Sequence, residues 1–116
     1  MTIERYSWPK KLALAFRGIA VGMRGQRSFH VHLPVAVSVV VAGLVLKVSH
    51  AEWCLLTLCI AMVLGAELFN SALESLTKAI TRDENPHIAD ALDIASGAVL
   101  VVACGAAVVG LLVLVA

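Results

Sequence analysis

Charge is scarce in this chain of 116 residues: 15% are Asp, Glu, Lys or Arg, while 60% are hydrophobic. A soluble globular chain carries about 25% charged and about 45–50% apolar residues. That shortage excludes a disordered chain, a nucleic-acid-binding tail and a freely soluble monomer of this size. From Ile94 to Ala116 charge is missing altogether. Cysteine is also sparse: Cys54, Cys59 and Cys104 lie inside apolar runs, are odd in number and have no metal-type spacing. They read as buried packing thiols. No cleaved secretory leader is predicted, because the first long apolar run starts late and lacks a small-residue cleavage pattern. Internal repeats are absent as well. What remains is an integral membrane protein.

Three stretches approach the roughly 20 apolar residues that a helix needs to cross the hydrocarbon core. Ser28 to Leu46 is uncharged between Arg27 and Lys47, and Pro34 falls in its first turns, where a missing N–H costs least. Trp53 to Ala66 is uncharged and continues with helical character through Glu67, Asn70 and Glu74 to about Ile80. The third, Ile94 to Ala116, is the cleanest. The pattern predicts spans over 28–48, 53–80 and 92–115 within one domain, 1–116. The short Lys47–Glu52 segment makes the first two spans a tight hairpin with Trp53 at the interface, and a polar connection runs from about Thr81 to Ala91.

Basic residues are unevenly placed. Arg5, Lys10, Lys11, Arg17, Arg24 and Arg27 precede the first span, against the single acid Glu4. The positive-inside rule then puts the N-terminus in the cytoplasm, the 81–91 loop inside and Ala116 outside. Before the first span, a helix over about 9–25 is expected, with Pro9 near its start. Leu12, Phe16, Ile19 and Met23 recur on one stripe, and Lys10, Arg17 and Arg24 fall on another face. Such an amphipathic helix lies on an anionic membrane surface, with Trp8 and Tyr6 as headgroup-level anchors. The fold class is therefore an all-α membrane protein, with an N-terminal amphipathic surface helix followed by three transmembrane helices.

Glu67, Asn70, Ser71 and Glu74 are offset by three, four and seven positions, which places them on one helical face. A carboxylate at the centre of a membrane helix costs about 2.5–3.5 kcal/mol on insertion scales, so it faces protein or water. Two on one stripe call for a cation or a proton, and Mg²⁺ suits hard carboxylate oxygens. The plainer alternative is a helix end that projects into the cytosol and solvates its acids. Asp93, near the start of the third span, can cap backbone N–H groups there. Polar chemistry thus collects at the cytosolic interface, open to a nucleotide from water and to a lipid headgroup. Phosphoryl transfer requires metal-held phosphates, a positioned hydroxyl and a carboxylate to take its proton.

The run Glu67-Leu68-Phe69-Asn70-Ser71-Ala72-Leu73-Glu74 resembles the signature of the small prokaryotic diacylglycerol kinase family, whose Gram-positive branch phosphorylates undecaprenol. The resemblance extends from about Lys11 to Val115. It takes in Phe16-Arg17-Gly18-Ile19, His32-Leu33, Glu52-Trp53 and the stretch from Asp93 to Leu100. It implies a homotrimeric lipid kinase of the bacterial inner membrane, with active sites shared between subunits. ATP is the co-substrate, Mg²⁺ the cofactor, and undecaprenol or diacylglycerol the acceptor. Carried over residue by residue, it makes Glu67 the general base and Glu74 a metal ligand. Asn70 and Asp93 fall on the nucleotide side, and Asp83, Glu84 and Asn85 match a region near ATP.

Four positions depart from the family pattern. Gln26 stands where a second metal-binding glutamate is usual, so it keeps an oxygen ligand and loses a charge. Leu92 replaces a phosphate-binding lysine, Lys78 an aspartate and Leu14 a tyrosine. The paired changes suggest that Lys78 supplies ATP with the cation that Leu92 cannot. The alternative is a catalytically weakened or silent membrane scaffold that keeps the kinase fold. An ion conduit fits less well, because the acids cluster at one end. His30 and His32 point about 200° apart on a helix, so they read as interfacial or hydrogen-bonded groups rather than a metal pair. His50 and His87 read as loop residues. Ala61 and Gly65, Ala103 and Ala107, and Ala106 and Gly110 are small pairs that permit close helix packing.

Overall fold

A computed structural model of the chain describes residues 7–24, 27–80 and 83–115. Gln26 and Tyr6, expected as metal ligand and surface anchor, lie outside the described residues, as do Thr81 and Arg82. Four helices follow one another: α1 (Trp8–Met23), α2 (Arg27–Leu46), α3 (His50–Ile80) and α4 (Pro86–Val115). There is no strand among the described residues. Helices α2, α3 and α4 are each long and apolar enough to cross a membrane. The 31 residues of α3 reach about 46 Å at 1.5 Å each. The hydrocarbon core is about 30 Å thick, so part of α3 projects beyond it.

Local chemistry sets the ends of these helices. Ser7 is the N-cap residue of α1, with Pro9 in the first turn, where it gives up no needed donor. Helix α2 closes with Lys47 in the left-handed region at φ 54°. There the Val48 N–H reaches the Gly43 carbonyl at 3.2 Å, a Schellman closure. Helix α3 starts at His50, three residues before the expected Trp53, because Ser49 and Glu52 form a capping box. The Ser49 N–H donates to Glu52 Oε1 at 2.9 Å, and the Glu52 N–H donates to Ser49 Oγ at 3.2 Å.

Helix α4 begins at Pro86 rather than at 92, which shortens the connection from α3. Asn85 explains the early start: its Oδ1 accepts from the backbone N–H of His87 at 2.9 Å and of Ile88 at 3.3 Å. Pro86 then occupies the first helical position, where its ring is preorganised. His50 and His87 are therefore first-turn helical residues, not loop residues. Pro34 lies farther into α2 than expected, inside the helix, where it removes one backbone bond. Ser38 Oγ donates to the Pro34 carbonyl at 2.8 Å.

Helix α4 packs chiefly along α3, and α2 lies against both. The α2–α3 hairpin is closed by a contact between a glycine and a ring: a Cβ built at Gly43 would stand 2.7 Å from the Trp53 indole. Few side chains are fully enclosed by this single chain; Phe29, Leu56, Ala95 and Val113 are the buried apolar ones. Cys54 and Cys104 are exposed and Cys59 half-buried, so the thiols are not the buried packing groups that their apolar surroundings predicted. Along α1, Trp8, Leu12, Phe16 and Ile19 are all exposed. Among the described residues no element covers these side chains, although Lys11 Nζ sits 5.0 Å over the Trp8 ring.

Candidate active site

Glu67, Asn70 and Ser71 are the only buried polar or charged residues among those described, and all lie on one face of α3. Their spacing alone predicts a shared face; the packing turns that face inward. Glu67 is only 1% exposed. Burial of a carboxylate is expensive unless it is paired and hydrogen-bonded. A partner comes from α2: His32 Nδ1 stands 2.5 Å from Glu67 Oε1. The contact lacks the direction of a hydrogen bond, so both Glu67 oxygens and His32 Nδ1 have no hydrogen-bond partner among the described residues. Asn70 Oδ1 and Ser71 Oγ are likewise buried and unsatisfied. Buried polar atoms are nearly always hydrogen-bonded in a finished fold, so this concentration singles the face out as a candidate site.

One turn along α3, Asn70 Nδ2 donates to Glu74 Oε1 at 3.1 Å. That bond uses the amide nitrogen, and Asn70 Oδ1 accepts no hydrogen bond among the described residues. Thr77 Oγ1 donates to the Glu74 carbonyl at 2.8 Å, holding the same turn. Gly22, near the end of α1, approaches α3 beside this cluster: a Cβ there would meet Leu68 Cδ2 at 2.7 Å. The end of α1 is thereby brought within a residue of Glu67.

Hard oxygen donors are present, but no preformed metal cage. Among the described residues no three His, Cys, Asp or Glu side chains converge on one point. The Glu74 carboxylate and the unsatisfied Asn70 Oδ1 suit Mg²⁺, which is commonly held by one or two carboxylates and completed by phosphates and waters. The donor set fits a hard divalent cation whose remaining ligands come from elsewhere.

The remaining expected nucleotide-side residues are not part of the buried cluster. Lys78 is exposed in the last turn of α3, where a cation complements the helix dipole. Asp83 and Glu84 are exposed in the connection to α4, and the Asn85 amide oxygen is committed to the helix cap. Asp93 is exposed and sits two turns into α4, so it cannot cap that helix as expected. The packing of His32 against a carboxylate of another helix has no local signature in the sequence.

On one side of His32 an apolar cavity of about 340 Å³ runs between α2, α3 and α4. Val39, Leu56, Ile60, Ala106 and Leu114 are among its lining residues. Its size falls within the range of about 300–1,000 Å³ that small-molecule pockets occupy. Leu56 lies three turns along α3 from Glu67, so the cavity follows much of the length of the bundle. Of the small pairs, Ala103, Ala107, Ala106 and Gly110 line this space.

Residues 13–114 match the family described as prokaryotic diacylglycerol kinase. The chain is 35% identical over 104 residues to the undecaprenol kinase of Bacillus subtilis, a match covering 90% of this chain and 85% of that protein. It is 32% identical over 107 residues to a diacylglycerol kinase of Synechocystis, covering 91% of this chain and 57% of that protein. No solved structure matches significantly.

Proposed function

Since this chain belongs to the prokaryotic diacylglycerol kinase family, and is thus a membrane-embedded lipid kinase, we propose that it transfers the γ-phosphoryl group of ATP to undecaprenol. The observation that carries this reading is Glu67, a buried carboxylate with an unsatisfied oxygen, beside an apolar cavity that a lipid chain can fill. The similarity to an undecaprenol kinase over most of both chains favours the isoprenoid acceptor over diacylglycerol.

In this scheme the lipid chain lies in the cavity and its terminal hydroxyl meets Glu67. Glu67 takes the hydroxyl proton as the oxygen attacks the γ-phosphorus, and ADP leaves with the electron pair of the broken bond. Glu74 and Asn70 Oδ1 would hold Mg²⁺, which would supply charge neutralisation for the phosphates. Exclusion of water by the surrounding helices keeps the phosphoryl group from hydrolysis. Asp93, Asp83 and Glu84 lie toward the nucleotide, and Lys78 provides a cation there in place of Leu92. Gln26 adds a neutral oxygen donor.

The reaction faces the cytosol. The five basic residues before α2, with Arg27 as its first residue, favour a cytoplasmic N-terminus and hence an external C-terminus, with three crossings of the inner membrane. The uncovered apolar stripe of α1 then rests on the inner leaflet. The sparse core of the single chain supports assembly into a homotrimer, in which further helix faces are covered.

The test is transfer from labelled ATP, with Mg²⁺, to undecaprenol or diacylglycerol in mixed micelles. Transfer to undecaprenol with little to diacylglycerol is the expected outcome. The reverse preference would overturn the acceptor assignment, and no transfer to either by intact oligomers would favour the silent scaffold.

A further inference from the structure

His32 approaches Glu67 from a different helix, and no step of the transfer yet employs it. The two residues are far apart in sequence, so their contact exists only because α2 packs on α3. The imidazole is 23% exposed, while the carboxylate it touches is 1% exposed. A buried pair that served only to hold two helices together would be expected to satisfy its hydrogen bonds fully. Among the described residues this pair does not: Nδ1 and Oε1 are close without hydrogen-bond direction, and Oε2 has no partner. The same imidazole borders the apolar cavity. His32 therefore touches both the cavity and the carboxylate.

We infer that His32 is a positioning residue for the transfer: its Nδ1–H fixes Glu67 Oε1 and so presents Oε2 to the acceptor hydroxyl. The inference rests on Glu67 being the general base. Catalytic hydrogen bonds are often poorly aligned without substrate and tighten in the reactive complex. A lipid in the cavity completes the alignment. His32 keeps its proton throughout. The hydroxyl proton goes to Oε2, the acceptor oxygen bonds to the γ-phosphorus, and the bond from that phosphorus to the bridging oxygen breaks with its electrons passing to ADP.

Geometry supplies a discriminating set of variants. Asn places an amide nitrogen where Nδ1 is bonded to its ring, whereas Gln places one a bond farther out. His30, on the same helix but exposed, is the control. Transfer to undecaprenol in mixed micelles and the thermal midpoint of each variant are measured together. General-base catalysis contributes about 10²–10⁴-fold, and a base left unaligned forfeits part of that. His32→Ala should lower kcat by roughly 10–100-fold with KM for ATP and lipid little changed. His32→Asn should recover most of the loss, His32→Gln should not, and His30→Ala should behave as wild type.

Unchanged kcat in His32→Ala beside an inactive Glu67→Gln would overturn the inference while leaving the general base in place. An active Glu67→Gln would remove the base and the positioning residue together. A raised KM with kcat intact in His32→Ala would make the imidazole a lipid contact and overturn the positioning role. Equal losses in the Ala and Asn variants, each with a lowered thermal midpoint, would reduce the pair to a structural contact and also overturn it.

Discussion

Replacing Gly43 by alanine probes the hairpin that carries α2 to the site. The added Cβ would stand 2.7 Å from Trp53 Cη2, 3.1 Å from Cζ2 and 3.2 Å from Cζ3. Carbon atoms prefer about 3.5–4.0 Å, so the indole must retreat or the helices must part. A rigid ring yields less readily than the end of an aliphatic side chain. Overpacking of this kind costs about 1–3 kcal/mol. Against it, alanine is favoured over glycine inside a helix by about 0.8–1.0 kcal/mol. The net expectation for Gly43→Ala is a loss of about 0–2 kcal/mol. The sign should change in a Trp53→Leu background, where the ring is gone and helix propensity alone decides, giving a gain of up to about 1 kcal/mol. Reversible unfolding in mixed micelles, followed by circular dichroism, measures all four corners of the cycle. A coupling of about 1–3 kcal/mol is predicted. Equal effects of Gly43→Ala in both backgrounds would refute the contact.

Other expectations follow from the helix ends and the donor set. Lys47 holds a left-handed φ of 54°, so Lys47→Gly should raise unfolding stability by about 1 kcal/mol. Ser49→Ala and Asn85→Ala each remove a side-chain cap seen at the start of α3 and α4; each should cost about 1 kcal/mol in the same unfolding measurement. Asn70→Ala removes the unsatisfied Oδ1 and the bond to Glu74. In a titration of transfer rate against Mg²⁺, it should raise the half-maximal concentration by about 10-fold or more.

The membrane architecture was legible because it depends on composition and length. Uncharged runs around Val39, Ile60 and Val108 form long apolar helices, and a separate helix, α1, precedes them. The shared face of Glu67, Asn70 and Glu74 followed from helical spacing and was found on α3. Helix boundaries were less well read, although local signals existed. Ser49-His50-Ala51-Glu52 has the pattern of a capping box, and Asn85-Pro86 pairs a cap with a residue suited to the first turn. Using Asn85 as a cap would have placed Asp93 two turns inside α4 rather than at its end. The exposure of Cys54 and Cys104 reflects how little one copy of this chain buries. An apolar neighbourhood in sequence does not distinguish a protein core from a lipid-facing surface. The His32–Glu67 contact had no sequence signal, since it arises only from how α2 packs on α3.

The central claim is that the buried carboxylate of α3 takes the proton of a lipid alcohol. It is tested most directly by Glu67→Gln, which keeps the side chain's shape and removes its basicity. Nucleotide binding and the rate of phosphoryl transfer to undecaprenol are measured on the same preparation. The account predicts retained nucleotide binding with a transfer rate lowered by about 10²–10⁴-fold. Retained binding with a rate equal to wild type would contradict it.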